Sequence, residues 1–261
     1  MINIEDITVA ISTYESRISQ ALIVESKFCR LGFKTMIIHQ SKNPDSYEQN
    51  DSRCKIIKIG SFGVTKSRNV AIKNVTTEYI WFMDDDIDVL EEQVFEFISE
   101  MPIEAEVIST RVLNETGKPR KRYPEKGYIT AKRRTLGVGT IELIAKVRFL
   151  KENKINFPEF MGAGTDLPVG DEAVFVSKIL DSKGRLYHCD KSMVIHPDDS
   201  SGKNIDLRTI KSKGLMIRIV FGYVKSIFIH LYLANSISSI SGLSKYRTFC
   251  LLLSGSLFKE D

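Results

Sequence analysis

Glu78-Tyr-Ile-Trp-Phe-Met-Asp-Asp-Asp86 begins as a strand and ends in three consecutive carboxylates. The run from Tyr79 to Met83 is short, aromatic and apolar, which is typical of a strand that is covered on both faces. Three adjacent acids repel one another, so they persist most easily where a positive charge neutralises them. In an open α/β sheet, ligands also bind at the carboxyl end of a strand. The stretch therefore predicts a divalent cation that is held by oxygen ligands and bridges to substrate phosphates.

The same acids also fit a structural role. Acids often occupy the first turn of a helix, and Asp88, Glu91 and Glu92 would suit the N-terminus of the helix that follows. A calcium loop of the EF-hand type does not fit, because Val89 stands where that loop requires glycine. The acids alone leave metal binding and helix capping both open, and their place directly after a buried strand favours the metal.

Strands and helices alternate on both sides of this stretch. Short apolar strands are predicted at 7–12, 35–39, 55–59, 107–110, 140–145 and 186–195. Helical spacing is found at 16–31, 65–74, 89–101, 147–154 and 171–183, and a polar, basic loop or hairpin at 114–134. The alternation predicts an α/β fold with a doubly wound, mostly parallel sheet. The rest is predicted to be helical with a Ser/Gly break at 236–244, which gives a catalytic domain over 1–202 and a C-terminal helical appendage over 203–261.

Composition is that of a soluble globular protein, with 43% apolar and 27% charged residues in 261. The net charge of +4 is uneven, because the residues from Lys203 to Asp261 contain nine Lys/Arg and three Asp/Glu. The 4 cysteines are scattered, without the spacing of a zinc site or a disulfide framework, and indicate a reducing compartment. The N-terminus lacks the pattern of a signal peptide. The apolar run from Leu215 to Ala234 is interrupted by charged residues and is a poor membrane span.

A second motif lies one strand earlier in the chain. In Gly63-Val-Thr-Lys-Ser-Arg-Asn-Val-Ala71, a glycine leads into a helix that carries Arg68 and Asn69. Consecutive elements are usually neighbours, so these residues place a cation and an amide near the predicted anionic site. Arg68 could equally pair with an aspartate to hold the turn, and the two roles are compatible.

Together these segments resemble the family-two glycosyltransferases of the GT-A fold, whose sheet is of the nucleotide-diphospho-sugar transferase type. The resemblance rests on the order Ser12-Thr-Tyr14, the Gly63 motif and the strand ending in Asp84-Asp-Asp86. It continues through Gly164, Gly170-Asp-Glu-Ala-Val-Phe175 and Val194-Ile-His196, and covers roughly residues 5–200. The acid that the family usually has after the second strand is replaced by Gln40-Ser-Lys42, so the nucleobase is not specified.

The resemblance implies a nucleotide-sugar donor (a UDP-sugar is expected), Mg²⁺ or Mn²⁺, and inversion at the anomeric carbon. Asp86 would ligate the metal, and His196 would lie near the metal and the diphosphate. The expected nucleotide-sugar-binding residues are Ser12, Thr13, Glu15, Arg68, Asn69, Asp84 and Asp85, with Asp84 facing the ribose. Outside the family pattern, a single histidine after a strand is more often structural than functional.

Asp171 and Glu172 are the candidates for the general base. An acceptor hydroxyl must lose its proton as it attacks the anomeric carbon, and a carboxylate within hydrogen-bond reach can take it. The family usually has Glu-Asp here, with the second acid as base and a Phe three residues later, so the register from Phe175 favours Glu172. The order of the two acids is reversed, which leaves Asp171 open, and acids at a helix N-terminus are also common without catalysis.

Two basic regions have several interpretations. The loop from Lys118 to Arg134 contains eight Lys/Arg and one Glu, and is either a solvated loop or an acceptor loop that meets a phosphate of a lipid-linked glycan. Its aromatic residues, Tyr123 and Tyr128, are too few to predict a nucleic-acid partner. The tail mixes large apolar residues with spaced Lys/Arg, so it could pack on the domain, form a homo-oligomer contact or lie on an anionic membrane surface.

We therefore expect an inverting, metal-dependent glycosyltransferase that extends a surface polysaccharide or a lipid-linked oligosaccharide from the cytoplasmic side, peripherally on the inner face of the membrane. A non-catalytic protein that binds a nucleotide-sugar or acts as a scaffold is the alternative from another class. A sugar nucleotidylyltransferase shares the sheet but needs a glycine-rich loop after the first strand, and Ser12-Thr-Tyr-Glu-Ser16 contains no glycine.

Overall fold

The computed structural model describes residues 2–43, 53–197 and 205–258. Within these ranges, nine strands form one sheet. They are β1 (Ile7–Tyr14), β2 (Lys34–Gln40), β3 (Cys54–Ile59), β4 (Tyr79–Asp84), β5 (Asp88–Val89), β6 (Val107–Leu113), β7 (Gly127–Ile129), β8 (Leu143–Lys146) and β9 (Leu186–Ile195). The strand order is β3-β2-β1-β4-β8-β6-β9-β5, and β7 pairs with β9 outside this path.

Most of the sheet is parallel, as predicted. β1, β2, β3 and β4 are parallel, β8 runs against β4 and β6, and β9 is parallel to β6. Because β1 and β4 are parallel neighbours, their carboxyl ends reach the same edge of the sheet, where Ser12 pairs with Asp84. This edge is where the polar side chains of the site converge.

Helices cover both faces of the sheet, so the predicted α/β class is confirmed. They are α1 (Ile18–Arg30), α2 (Val64–Asn74), α3 (Glu91–Glu100), α4 (Val147–Glu152) and α5 (Asp171–Asp181). The odd-numbered residues from Tyr79 to Met83 enter one apolar cluster, and Ile80 and Phe82 enter the other. Each large side chain buried in this way contributes about 1.5–3 kcal/mol. The apolar run of β4 therefore anchors both halves of the core.

Several predicted boundaries shift, and three of the shifts change the kind of element. The helix predicted at 89–101 begins at Glu91, because Asp88 and Val89 pair with β9 as β5. The strand predicted at 140–145 begins with a 3₁₀ turn over Thr140–Glu142 and becomes extended only in β8. The loop predicted at 114–134 contains β7 and a 3₁₀ turn over Lys132–Arg134. In each case pairing with a distant strand, which local patterns do not report, sets the boundary.

The C-terminal region is helical, as predicted, and consists of α6 (Leu207–Phe221), α7 (Tyr223–Ser241) and α8 (Lys245–Ser256). α7 ends at Gly242, whose φ of 70° belongs to the left-handed region that glycine adopts readily. α6 and α8 touch backbone to backbone: a Cβ on Gly214 would lie 2.0 Å from the Leu252 carbonyl oxygen, and one on Gly255 2.0 Å from that of Lys211. The predicted boundary between residues 202 and 203 lies outside the described residues.

Among the described helices, no single one is long and apolar enough to cross a membrane. α7 and α8 pass that test only as a pair, and they are bent by 119° relative to each other.

Candidate active site

The three acids after β4 point to different places. Asp85 is 5% exposed and accepts hydrogen bonds from Thr13 Oγ1 at 2.6 Å and from Arg17 Nε at 3.0 Å. Asp84 and Asp86 instead border a cleft, with 35% and 36% of their side chains exposed. Asp85 and Thr13 therefore bind each other and hold the turn. Both residues also line the cleft, so their role as nucleotide contacts stays a prediction.

A candidate metal site is formed by Asp84, Asp86 and His196. One potential ligand atom from each lies within 4.8 Å of the others, and His196 Nε2 is 3.3 Å from Asp86 Oδ1. His196 Nδ1 lies 2.7 Å from the Pro197 carbonyl oxygen, which only accepts, so Nδ1 donates. In the neutral ring this leaves the lone pair on Nε2 for a ligand. Two carboxylates and an imidazole suit a divalent cation such as Mg²⁺ or Mn²⁺.

Arg17 is a site residue that the sequence pattern did not indicate. It bridges two of the acids, since it contacts Asp85 and its Nη2 lies 3.0 Å from Asp86 Oδ2. The hydrogen bonds to Asp85, together with the attraction of Asp86, raise the pKa of the guanidinium. Arg17 lies in a 3₁₀ turn that follows β1, where a single arginine in a polar segment carries no distinctive pattern.

Arg68 connects the candidate metal site to the start of α5. Its side chain is 6% exposed, and Nη1 donates to Asp171 Oδ2 at 2.8 Å. Its other terminal nitrogen, Nη2, lies 3.7 Å from Asp84 Oδ1. Burial raises the pKa of Asp171 well above its usual range; the neighbouring Glu172 adds to this and Arg68 opposes it. Both predicted roles of Arg68 therefore apply, because it lies near the anionic site and pairs with an aspartate.

Asp171 and Glu172 both border the cleft but differ in access to it. The Asp171 side chain is 3% exposed and is paired with Arg68, whereas the Glu172 side chain is 23% exposed. Glu172 Oε1 accepts a hydrogen bond from Thr140 Oγ1 at 2.8 Å. Glu172 thus presents a fixed, accessible carboxylate. Thr140, in the 3₁₀ turn before β8, was not singled out by the sequence.

The remaining expected nucleotide-sugar contacts are Ser12, Glu15 and Asn69, and they differ in their position relative to the cleft. Ser12 lines the cleft and accepts a hydrogen bond from Ser67 at 2.8 Å. Glu15 is not among the cleft-lining residues, and its carboxylate accepts a hydrogen bond from the Lys42 N–H at 3.2 Å. Asn69 faces away from the cleft and bonds to the Phe157 backbone, with its Oδ1 2.8 Å from the Phe157 nitrogen. The structure therefore brings neither Glu15 nor Asn69 to the cleft. Adjacent residues on a helix point about 100° apart, so Asn69 does not face the cleft when Arg68 does.

The cleft has a volume of about 1310 Å³ and two unlike walls. The ends of β1 and β4 and the start of α5 form the polar wall. The facing wall comes from the C-terminal helices, with Lys213, Met216 and Ile217 of α6, and Leu233, Ser236, Ile237 and Ile240 of α7. The sequence predicted an appendage, but α6 and α7 complete the site. Their spacing is that of any amphipathic core face, so it gave no sign of a cleft.

The predicted basic loop also reaches the cleft, through Arg120 and Lys121. Lys121 Nζ is 2.5 Å from the buried Glu142 carboxylate. Burial raises the pKa of Glu142, and Lys121 opposes this shift. The loop is therefore tied to the sheet at Lys121.

Comparison with known proteins gives one sequence family and one group of structures. Residues 44–161 match the family described as "Glycosyl transferase family 2". Among curated protein sequences, none matches this chain. The crystal structure of S. aureus TarS 1-349 in complex with UDP-GlcNAc is similar with a TM-score of 0.62 and 18% identity, over 94% of this chain and 75% of that one. The complex of the same fragment with UDP has a TM-score of 0.58 and 18% identity, over 94% and 74%.

The structural similarity shows a shared fold, and the family match covers the stretch from before β3 to the loop that precedes α5. The acids after β4 and the Arg68 helix both lie inside that match. On these grounds residues 44–161 match glycosyl transferase family 2, and the chain is a glycosyltransferase with the GT-A fold.

Proposed function

We propose that the chain transfers a sugar from a UDP-sugar, with inversion, to a glycan or lipid-linked oligosaccharide during surface polysaccharide synthesis. The observation that carries the proposal is the shared cleft, in which the Asp84, Asp86 and His196 cluster and the accessible carboxylate of Glu172 lie at opposite ends of the buried Arg68. S. aureus TarS, which has the same fold, has been solved with UDP-GlcNAc and with UDP, and this supports a UDP-sugar as donor.

Asp84, Asp86 and His196 would hold the Mg²⁺ or Mn²⁺ ion. A bound ion acts as a Lewis acid that stabilises the charge on a departing diphosphate. The chain itself contributes the fixed arrangement of the ligands. His196 is oriented by the bond from Nδ1 to the Pro197 carbonyl, and Asp86 is held by Arg17. Such preorganisation reduces the cost of rearranging the site when charge develops.

Glu172 would act as the general base. The acceptor oxygen forms a bond to the anomeric carbon while the bond from that carbon to the diphosphate breaks, and the hydroxyl proton passes to the Glu172 carboxylate. One displacement of this kind inverts the anomeric carbon. Thr140 holds Glu172 in place, and Asp171 stays bound to Arg68 inside the protein. The difference in exposure between the two acids favours Glu172 over Asp171.

The acceptor side is proposed from the charges and the exposed apolar residues. Arg120 in the basic loop faces the cleft, where it can meet a phosphate. Exposed apolar side chains on α7, such as Phe228 and Tyr232, together with the surrounding Lys/Arg, suit peripheral binding to an anionic membrane. We place the protein in the cytoplasm at the inner face of the membrane, with a self-association surface on the same helices as the alternative.

The test is release of nucleoside diphosphate and formation of a glycosylated acceptor with UDP-sugars, acceptor extracts and Mn²⁺ or Mg²⁺. Screening nucleoside diphosphates and nucleotide-sugars by thermal shift would first identify the donor, since selective ligands raise stability by mass action. Asp86→Ala should abolish transfer and the metal-dependent part of the thermal shift. Glu125→Gln, in the basic loop, is the matched control. Metal-dependent binding of UDP without turnover in any combination would instead indicate a non-catalytic nucleotide-sugar-binding protein.

A further inference from the structure

The helical wall of the cleft is apolar except for Ser236 and one cation. Met216 and Ile217 of α6, and Leu233 and Ile237 of α7, face the cleft together with Lys213. This wall lies directly beside the candidate catalytic acids, because Met216 contacts Gly170, the residue before Asp171: a Cβ on Gly170 would lie 2.9 Å from Met216 Cβ. A ligand that reaches Glu172 from this side must pass along the helical wall.

Lys213 is a cleft cation to which the described part of the chain offers no partner. It forms no hydrogen bond or ion pair with any residue that the structure describes, although it is half-buried. Its withdrawal from water lowers the pKa of its ammonium group, and no carboxylate among the described residues opposes this. By contrast, three other cleft cations are neutralised: Arg17 by Asp85 and Asp86, Arg68 by Asp171, and Lys121 by Glu142. A half-buried ammonium without a partner favours an anionic ligand.

The helices themselves cannot supply that anion. From Leu207 to Phe258 the sequence contains seven Lys/Arg and no Asp or Glu. The absence of acids over three consecutive helices also gives this helical region a net positive charge. Such a charge complements a negatively charged membrane or lipid headgroup.

The apolar wall continues to the outside of the protein. Ile240 lines the cleft and is also 69% exposed, so it joins the cleft wall to the surface. Val224, Phe228, Leu231 and Tyr232 on the same helix are all more than half exposed. A hydrocarbon chain could therefore lie along the cleft wall and leave at Ile240, with each buried CH₂ group contributing about 0.8 kcal/mol.

We propose that Lys213 and the α6–α7 wall form a subsite for a lipid-linked acceptor, in which Lys213 binds the lipid phosphate and the apolar face binds the adjoining part of its hydrocarbon chain. The proposal rests on the glycosyltransferase function proposed above and specifies its acceptor. It assigns the α6–α7 wall to the acceptor, and leaves the donor to the polar wall.

The test measures binding of farnesyl phosphate, below its micelle concentration, to the full chain by calorimetry without metal or nucleotide. We expect saturable binding that is at least tenfold tighter than binding of either farnesol or inorganic phosphate, because the subsite needs both the charge and the chain. Lys213→Met keeps the apolar stem and removes the charge, and should weaken binding about tenfold, the effect of losing one charge-assisted hydrogen bond. Lys213→Arg should retain most of it.

Lys225→Met on α7 is the matched control, since Lys225 is exposed and does not line the cleft, and its binding should equal that of the unaltered chain. Ile237→Glu should weaken farnesyl phosphate binding while the affinity for UDP with Mn²⁺ stays unchanged. Three results would overturn the proposal: equal binding of inorganic phosphate, equal loss in Lys225→Met and Lys213→Met, or a Lys213→Met variant that loses UDP-sugar affinity but keeps lipid phosphate affinity. Because the readout needs no turnover, failure of this subsite is distinguishable from failure of the proposed function, which the UDP-release assay tests separately.

Discussion

The two walls of the cleft differ in whether their charged side chains are paired. On the sheet wall almost every charge has a partner: Asp85 binds Thr13 and Arg17, and Asp171 binds Arg68. On the helical wall the contacts are apolar, and Lys213 has no partner among the described residues. Paired charges hold their geometry before a ligand arrives, which suits a reaction that needs fixed positions. An apolar wall with one cation that is unpaired among the described residues tolerates variation along a bound hydrocarbon chain. Its cation recognises one negative charge on the ligand.

The difference shows which wall of the cleft holds its side chains in fixed positions. The sheet wall holds its acids at hydrogen-bond distances by contacts between residues far apart in sequence. The helical wall is held as a unit by the close crossing of α6 and α8. Changes to the first wall should therefore alter chemistry or folding, and changes to the second should alter ligand affinity and the local stability of the helices.

The largest expected effect is on the sheet wall, at Glu172. Glu172→Gln keeps the hydrogen bond from Thr140 but cannot take a proton, so the transfer rate should fall about 10²- to 10⁴-fold. Donor binding should change little, because the substitution preserves size. Steady-state kinetics of UDP release with calorimetry of UDP binding measures both quantities. A larger rate loss in Asp171→Asn than in Glu172→Gln would reverse the assignment of the base.

The second effect is on folding, at Arg68. Arg68→Met leaves Asp171 buried without its cation, which costs about 3–5 kcal/mol in the free energy of unfolding. Urea unfolding followed by circular dichroism measures it. The exposed pair of Arg148 with Glu152 is the control, and Arg148→Met should leave the unfolding midpoint almost unchanged. The double variant Arg68→Met with Asp171→Asn should recover part of the loss; no recovery would mean that the buried charge is not the cause.

The third effect is a pH dependence of the stability of the folded protein, caused by His188 in β9. The ring is 1% exposed and stacks on Tyr123, and burial lowers the pKa of His188 from 6.5 to about 4. Between these two values the unfolded chain binds a proton that the folded protein does not, so stability falls as the pH falls from 6.5 towards 4. The full loss is about 3 kcal/mol.

Unfolding of the unaltered protein and of His188→Gln at pH 7 and pH 4.5 isolates this contribution. The variant should lose less stability on acidification, because glutamine keeps a hydrogen-bonding group near Ser109 but does not titrate. Identical pH slopes in the two proteins would contradict a neutral, buried His188.

The smallest effect concerns the helical wall, at Gly214. A Cβ there would lie 2.0 Å from the Leu252 carbonyl oxygen, so Gly214→Ala must push α6 away from α8. We expect a cost of about 1–3 kcal/mol, as for overpacking in a core. Hydrogen exchange should show faster exchange in α6 and α8 with little change in β1 and β4. Gly137→Ala is the control, because nothing lies within 4 Å of its Cβ position. Equal loss of protection across the sheet would show that the two walls fold as one unit.

Local patterns were sufficient for the sheet and for part of the site. The apolar run of β4, the acids at its end and the glycine before α2 are short contiguous patterns, so periodicity and order predicted the α/β fold and the neighbourhood of the acids and Arg68. His196 was expected there only from the resemblance to family-two glycosyltransferases. The basic loop that reaches the cleft was also indicated, by its concentration of charge. These features depend on short-range patterning, which the sequence displays directly.

The rest depends on contacts between distant residues. Arg17 reaches Asp85 across 68 positions in sequence, and Asn69 binds Phe157 across 88. No local signal separates Arg68, which faces the cleft, from Asn69, which does not. The role of α6 and α7 as a wall was missed for the same reason, because an amphipathic helix shows which face is buried but not what it is buried against.

The close crossing of α6 and α8 at Gly214 and Gly255 has a consequence for variation in this protein. Each position already carries the smallest residue, so a harmful substitution at one glycine has no compensating change at the other. Genetic suppressors of such an allele must therefore arise elsewhere, in residues that let the two helices separate. In a mutational scan, we therefore expect both positions to tolerate only glycine.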